Sequence, residues 1–452
     1  MIIAIVSVCT FLSTFFAILH FICSFCYRKG PERTPRKTLG FSLIIPCFNE
    51  APILRNTLNG VLRLDYEEYE VIFINDGSTD NTMPVFFELL GLEPLVCGQT
   101  KLCAGLRGVY RSIKYPSIFV IDKSNSGKAA SLNAGIVLSS RELIVTLDGD
   151  SVLEKNALYL MNCAFQDDDV IASGGAVHVM QFFLMDKCKS PLIALQALDY
   201  IKGFYIYKPS LCVNNALNII SGAFGVFRKT ALIDVGGFRN GLGEDIDITI
   251  RLQEYAQKHQ KIVTYTMDAI CYTECPQTWR DLSRQRVRWQ KAFWDAVVHN
   301  RSFLLKYFFQ STICFFMIAD AAFSGTMAVM TFITNYLLLF VRVFYSLPLL
   351  FLIFLGLAVL FNITNSLVAI SRAIKCGPYS FRADSATDGC KKTKTGPLYL
   401  GVCIDLIIFS FLRIGFFIKG TASYLMKKTG WDKLNRTNNT YTLEFQPYKE
   451  SS

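Results

Sequence analysis

From Ile2 to Tyr27 the chain reads "IIAIVSVCTFLSTFFAILHFICSFCY", with no acidic or basic residue apart from His20. About 20 consecutive apolar residues suffice to cross the hydrocarbon core of a bilayer, so residues 1–27 are expected to form a membrane helix. No basic segment precedes the run, it is long for a signal core, and it lacks a clear small-residue cleavage site, so a retained helix fits better than a cleaved signal. Arg28, Lys29, Arg33, Arg36 and Lys37 follow at once, and such a flank favours the cytoplasmic side. The polar middle of the chain is then expected in the cytosol. Composition agrees: 52% of the 452 residues are hydrophobic and 37 are phenylalanine, more than a typical soluble domain carries.

The second half turns apolar again, in "YFFQSTICFFMIADAAFSGTMAVMTFITNYLLLFV", "LPLLFLIFLGLAVLFNITNSLVAI" and "PLYLGVCIDLIIFSFLRIGFFI". These are at least three membrane-associated segments. The basic loop 372–395 and the basic tail after Met426 both favour the cytoplasm, although one apolar stretch separates them. Either that stretch is re-entrant or interfacial, or the tract 307–345 crosses twice and the loop lies outside; Asp405 and Arg413 interrupt the stretch and favour the first. Asp320 sits inside an apolar run, where an ionisable group faces protein or a water-filled path, unless the run is interfacial and Asp320 is solvated. The expected organisation is a membrane helix at 1–27, a cytosolic domain at 28–305, membrane and interfacial helices at 306–426, and a polar cytosolic tail at 427–452.

The net charge of +10 is distributed largely around the apolar runs, as anionic membrane lipid would favour. No recognition motif accompanies it, so nucleic acid is not an expected partner. The fifteen cysteines are scattered, and the one CxxC pair, Cys23 and Cys26, lies in the first apolar run, so neither a disulfide framework nor a zinc knuckle is expected.

Between about Leu39 and Leu304, "FSLIIP", "YEVIFIND", "SIFVID" and "ELIVTLDGD" are β-branched and aliphatic runs that each close on polar or turn residues. Such runs read as parallel strands buried on both faces. Helical stretches lie between them, notably "APILRNTLNGVLRL" and "GKAASLNAGIVLSS", so the expected class is α/β with a βαβ sheet. Ligands of such sheets bind beyond the carboxyl ends of the strands, where the acidic residues fall.

"TLDGDS" places Asp148 and Asp150 just past a strand, where two carboxylates can share one hard cation with substrate phosphates; equally, such a triplet can be an ordinary surface turn. "INDGSTDNT" puts Asp76 at a second strand end, with Ser78 or Asp80 able to cap the helix that follows. "GLGEDIDITIRLQEY" opens a helix with Glu244, Asp245 and Asp247. The macrodipole favours acids there, and one of them could also remove a proton from an attacking sugar hydroxyl. In "RQRVRWQ", the spacing of Gln285, Arg288 and Trp289 gathers an amide, a guanidinium and an indole on one helical turn. These could grip a diphosphate and stack on a sugar ring, or snorkel at a membrane interface.

Together "IIPCFNE", "INDGSTD", "SGKAASLNAG", "TLDGDS", "SGAFGVFRKTALIDVGGF", "GEDIDITIRL" and "QRVRW", in this order from residue 44 to 289, resemble the inverting family-2 glycosyltransferases. The likeness is to their processive membrane branch of cellulose, chitin, hyaluronan and poly-N-acetylglucosamine synthases. The resemblance implies a GT-A fold, a Rossmann-like mixed sheet, flanked by transmembrane helices. It implies a UDP-sugar donor, N-acetylglucosamine before glucose, a growing polysaccharide acceptor, and a Mg or Mn cation. Asn49, Glu50 and Asp76 would contact uridine and Lys128 would help hold the nucleotide. Asp148 would face the nucleotide and Asp150 bind the metal. Asp245 would be the general base with Glu244 beside it, and Gln285 and Arg288 would bind pyrophosphate. Trp289 would stack on the terminal sugar, with Ser221 and Gly222 lining the acceptor side. The chain lacks a nucleotide-sensing module and has fewer membrane segments than cellulose synthases, so a second copy or an accessory export subunit could complete a channel.

Overall fold

A computed structural model describes residues 2–28, 34–95, 103–185, 190–324, 348–376, 396–405 and 410–427, with the backbone alone at 2–13, 323–324, 348–355 and 410–411. The four strands expected from the sequence form the centre of the sheet: β1 (Phe41–Cys47), β2 (Tyr69–Asp76), β5 (Ile118–Lys123) and β6 (Leu143–Leu147). They are parallel, in the order β5-β2-β1-β6. Leu43, Ile44, Ile45, Val71, Ile72, Ile74, Val120, Ile121, Ile144 and Val145 are all buried. Layers cover both faces, which is why these strands are continuous apolar runs without alternation.

Six further strands extend this centre into a ten-stranded sheet: β3 (Leu92–Pro94), β4 (Leu106–Ser112), β7 (Ser151–Leu153), β8 (Val170–Val179), β9 (Phe224–Arg228) and β10 (Ile262–Thr273). The full order is β3-β4-β5-β2-β1-β6-β9-β8-β10-β7. β9 runs antiparallel to both β6 and β8, and β8 lies parallel to β10, so the sheet is mixed.

Register places the chemistry. In β2 and β5, Asp76 is the direct partner of Lys123 at the carboxyl edge. Across β1 and β6, the strand end at Leu147 delivers the turn that carries Asp148 and Asp150. The helix Lys128–Leu138 lies close against β1, because a Cβ at Gly135 would stand 2.4 Å from Ile44 Cγ2.

The first apolar run is one helix, Ile2–Cys26, whose 25 residues measure about 38 Å at 1.5 Å per residue. Among the described residues, the part of the Pro348–Cys376 helix from Gly356 onward is long and apolar enough to cross a membrane, while Thr14–Cys26 and Thr312–Ala322 are shorter apolar stretches. Most of the expected 307–345 tract, of the 372–395 loop and of the tail beyond Met426 lies outside the described residues. The last apolar stretch falls into two helices, Gly396–Ile404 and Ser410–Leu425, each shorter than the roughly 20 residues of a span.

Asp405, which follows the first of these, is buried and held by Lys202 Nζ at 2.8 Å and Arg413 at 3.1 Å. Arg413 also reaches Asp199 at 3.3 Å, and Asp199 pairs with Arg286 at 2.9 Å. Burial opposes charge on Asp199, but Arg286, Arg413 and Lys202 hold its carboxyl below the ordinary range. This chain of charges ties the apolar helices to the Trp279–His299 helix that carries Gln285, Arg288 and Trp289. Asp320 is enclosed: it accepts from Tyr207 Oη at 3.1 Å and lies 2.9 Å from His20 Nε2. The solvated alternative for Asp320 is thereby corrected, since two side chains occupy its carboxylate.

Gly135→Ala should overpack Ile44 and destabilise the protein by roughly 1–3 kcal/mol. A fall in melting temperature of the detergent-solubilised protein measures it; an unchanged melting temperature would show that the helix can move away from β1 without cost.

Candidate active site

Asp76 anchors the carboxyl edge of the sheet. Its carboxylate accepts from Lys123 Nζ, from Ser126 N at 2.9 Å and from Gly127 N at 3.0 Å, while its carbonyl accepts from Asn125 Nδ2 at 2.9 Å. These bonds fix the turn 124–127, which closes at Gly127 with φ +91° and delivers Lys128 as the first residue of the next helix. A left-handed φ of this kind is open to glycine at little cost. The aspartate thus shapes the loop that presents Lys128. Neighbouring turns interlock: Asn49 N donates to Ser78 Oγ at 3.0 Å, Thr79 N donates to Asn49 Oδ1 at 2.8 Å, and Glu50 N donates to Thr82 Oγ1 at 3.0 Å. Of the two capping candidates, Asp80 accepts from Thr82 N at 3.0 Å, and Ser78 serves Asn49 instead. Glu50 is buried under the Asp148–Asp150 turn, its Cδ 3.5 Å from where a Gly149 Cβ would stand.

Lys128 joins two of the acidic clusters. Its ammonium lies 2.7 Å from Asp148 Oδ1 and 3.0 Å from Glu244 Oε1, and donates to Gly222 O at 3.5 Å. Burial works against its charge, yet Asp148, Glu244 and Asp245 more than offset this and hold it protonated well above the ordinary range. Asp245 accepts from Gly222 N at 3.3 Å and from Ile246 N at 2.9 Å. Burial and the neighbouring Glu244 raise its carboxyl to about 6, against the lowering influence of Lys128. Burial also opposes ionisation of Glu244, but Lys128 and Arg288 keep that acid below the usual range. Asp247, the third acid of the cluster, points elsewhere: it is buried between Arg239 at 3.1 Å, Arg251 at 2.9 Å and Asn300 at 3.1 Å, a structural assignment.

Asp150 sits between Ser151 Oγ and Thr273 Oγ1, each 3.3 Å from its Oδ1. Burial, Asp148 and Glu274 raise its carboxyl to about 7. Two carboxylates forced together in this way have the hard oxygen donors that Mg²⁺ or Mn²⁺ takes alongside phosphates. Among the described residues no cluster of three or more His, Cys, Asp or Glu is placed to hold a metal without such help. The donor set therefore fits a cation shared with a bound diphosphate.

The Trp279–His299 helix closes the site, capped by Thr278 Oγ1, which accepts from Asp281 N at 3.1 Å. Gln285 is buried and its Oε1 has no hydrogen-bond partner among the described residues. Arg288 acts electrostatically on Glu244, so this helix meets the acidic cluster. The Trp289 ring is partly open, with the Arg286 guanidinium 4.3 Å from its centroid and Tyr200 at 6.3 Å. Ser221 and Gly222 precede β9; Phe224 N donates to Ser221 O at 3.0 Å, and a Cβ on Gly222 would stand 2.8 Å from Lys128 Nζ. The structure therefore gathers Lys128, Asp148, Asp150, Ser221, Gly222, Glu244, Asp245 and Arg288, with Asn49, Glu50 and Asp76 in the interlocked turns behind them. Sequence reasoning missed Lys123, Asp199 and Arg286. A lysine ending "SIFVIDK" was a visible signal for the first; the other two depend on partners far along the chain.

The family description "Glycosyl transferase family 2" matches residues 42–236, and "Glycosyl transferase family group 2" matches residues 143–364. The chain is 30% identical over 266 residues to the poly-beta-1,6-N-acetyl-D-glucosamine synthase of Staphylococcus aureus (strain COL), covering 58% of this chain and 56% of that protein. It is 30% identical over 269 residues to the synthase of the same name from Staphylococcus epidermidis, covering 57% of each. The matched region thus spans little more than half the length of these relatives. In fold the chain is similar to the mannosyltransferase PcManGT from Pyrobaculum calidifontis, solved with GDP-Man and Mn2+. The TM-score is 0.55 at 14% identity, over 95% of this chain and 100% of that one. The two family matches overlap and together run from residue 42 to 364, across the sheet, the acidic clusters and the closing helix, and the chain belongs to glycosyltransferase family 2.

Proposed function

We propose that this chain is a membrane-embedded, inverting synthase that polymerises a UDP-sugar into a β-linked polysaccharide, with UDP-N-acetylglucosamine the favoured donor and UDP-glucose next. The observation that carries the reading is the meeting of Asp148 and Glu244 on Lys128, with Asp245 beside them. A donor-binding strand end and a base-bearing helix thus share one centre. The names of the curated relatives support N-acetylglucosamine. The long apolar helices support a place in the plasma membrane with the sheet domain in the cytosol.

Asn49, Glu50 and Asp76 support the uridine side, and Lys128, Gln285 and Arg288 bind the diphosphate. Asp148 and Asp150 would hold Mg²⁺ or Mn²⁺, which when bound neutralises charge on the departing nucleotide. Asp245, ionised above about pH 6, takes the proton of an acceptor hydroxyl. That oxygen bonds to the anomeric carbon on the face opposite UDP while the bond to the phosphate oxygen breaks, and its electron pair leaves with UDP. One displacement converts an α-linked donor to a β-linked product. Trp289 stacks on the terminal sugar, with Ser221 and Gly222 along the acceptor, and keeps the chain in place for the next addition. Glu244 stays ionised because of Lys128 and Arg288, and its charge keeps Asp245 basic enough to act.

Membranes carrying the protein, incubated with Mn²⁺ and each radiolabelled UDP-sugar, should release UDP and build high-molecular-weight label from one donor. Release of UDP with only a small lipid-soluble product would replace this reading with transfer of a single sugar to a lipid carrier, and no release at all would leave an inactive export partner. Asp245→Asn should lower turnover about 10²–10⁴-fold, the usual range for a general base, while UDP binding persists.

Because the base form of Asp245 is the active one, kcat/KM should fall tenfold per pH unit below about 6 and level off above it. Lys128 lowers the Asp245 pKa, so Lys128→Met should move that acidic limb to higher pH. A limb that stays in place in this variant would remove Lys128 from the electrostatic account.

A further inference from the structure

The helix Pro191–Lys202 does not end at its last residue but passes through one π-helical stretch, Gly203–Tyr207, into the helix Lys208–Val213. Wide turns of this kind recur at functional sites. Tyr200, Phe204 and Lys208 follow at intervals of four along this element, and they form a row. The Tyr200 and Phe204 ring centroids lie 6.0 Å apart, and the Lys208 ammonium is 4.3 Å from the Phe204 centroid. One end of the row meets Trp289, 6.3 Å from Tyr200. At the other end, Asp245 is the carboxylate whose charge acts on Lys208.

Lys208 is only 6% exposed, and among the described residues its ammonium has no hydrogen-bond or ion-pair partner. The ring face offers a cation–π contact but no acceptor oxygen. Burial lowers this lysine to about 7, so an amine able to donate is held ready without a fixed partner. Phe204, the partly exposed ring of the row, suits the C–H face of a sugar, and an amine without a fixed partner that feels the charge of Asp245 suits a sugar oxygen.

We propose that Tyr200, Phe204 and Lys208 border the acceptor glycan between Trp289 and Asp245, and that the Lys208 amine donates a hydrogen bond to an oxygen of the sugar whose hydroxyl Asp245 deprotonates. The acceptor class is a β-linked glycan bearing hydroxyl or amide carbonyl oxygens at that position. This assignment rests on the synthase reading and names its acceptor side.

The test uses the full chain in detergent, UDP-N-acetylglucosamine with Mn²⁺, and an added β-1,6-linked N-acetylglucosamine pentamer, with UDP release measured with and without the pentamer. Lys208→Met should raise the KM for the pentamer at least tenfold, leave the KM for the donor and the acceptor-free release within twofold, and be partly rescued by Lys208→Arg. An unchanged pentamer KM in Lys208→Met overturns the assignment, as does an equal loss of donor KM and acceptor-free release, which would make Lys208 a structural residue. If Lys208→Met no longer binds UDP, the pair Lys208→Arg and Phe204→Leu decides: a raised pentamer KM in Phe204→Leu supports the row, and an unchanged one rejects it. Wild-type protein that releases UDP but is not stimulated by the pentamer, or by a β-linked glucose pentamer with UDP-glucose, rejects the synthase reading and the acceptor row with it.

Discussion

One ammonium holds the active centre together. Asp148, at the end of a strand, and Glu244, at the start of a helix, come from segments almost a hundred residues apart, and without Lys128 between them their charges would repel. The lysine holds Glu244 below the usual range, while Asp150 is pushed up to about 7 and Asp245 to about 6. Neighbouring carboxyls whose affinities for protons are driven apart are a means of assigning different tasks to the same chemical group. Here the strand-end pair suits a cation and the helix acid suits a proton.

That arrangement requires a rigid base, and the sheet provides it. Asp76 spends its carboxylate on Lys123 and on two backbone N–H groups, so the turn before Lys128 has little freedom. Gly135 lets the following helix lie against β1, which fixes the depth at which Lys128 emerges. On the opposite side, the Asp199, Arg286, Arg413, Asp405 and Lys202 chain of charges couples the closing helix to the apolar helices. Asp405 is the buried member of this set, so removing either of its cationic partners would leave a buried carboxylate less well compensated.

The central strands were readable because burial on both faces forces continuous apolar runs, as in "FSLIIP" and "YEVIFIND". The strands of the other half were harder to read. β8 is fully buried yet reads "VIASGGAVHV", because Gly175 must leave room for Phe224, whose ring would lie 2.3 Å from a Cβ there. Close backbone approach removes the apolar signature that burial normally writes. The acids of the site were legible because their types cluster at strand and helix ends, but Asp247 shows the limit: only its arginine and asparagine partners separate it from Asp245. Asp199, Arg286 and Lys208 were missed for the same reason, since their meaning lies in groups brought near by folding.

The central claim is a division of labour between the strand-end acids, which hold the donor with its cation, and the helix acid, which acts on the acceptor. Calorimetric titration of UDP into the solubilised protein, with and without Mn²⁺, tests it most directly on wild type, Asp150→Asn and Asp245→Asn. The account predicts binding that depends on Mn²⁺, is lost in Asp150→Asn and is retained in Asp245→Asn. UDP affinity indifferent to Asp150 and Mn²⁺, or lost equally in both variants, would contradict it.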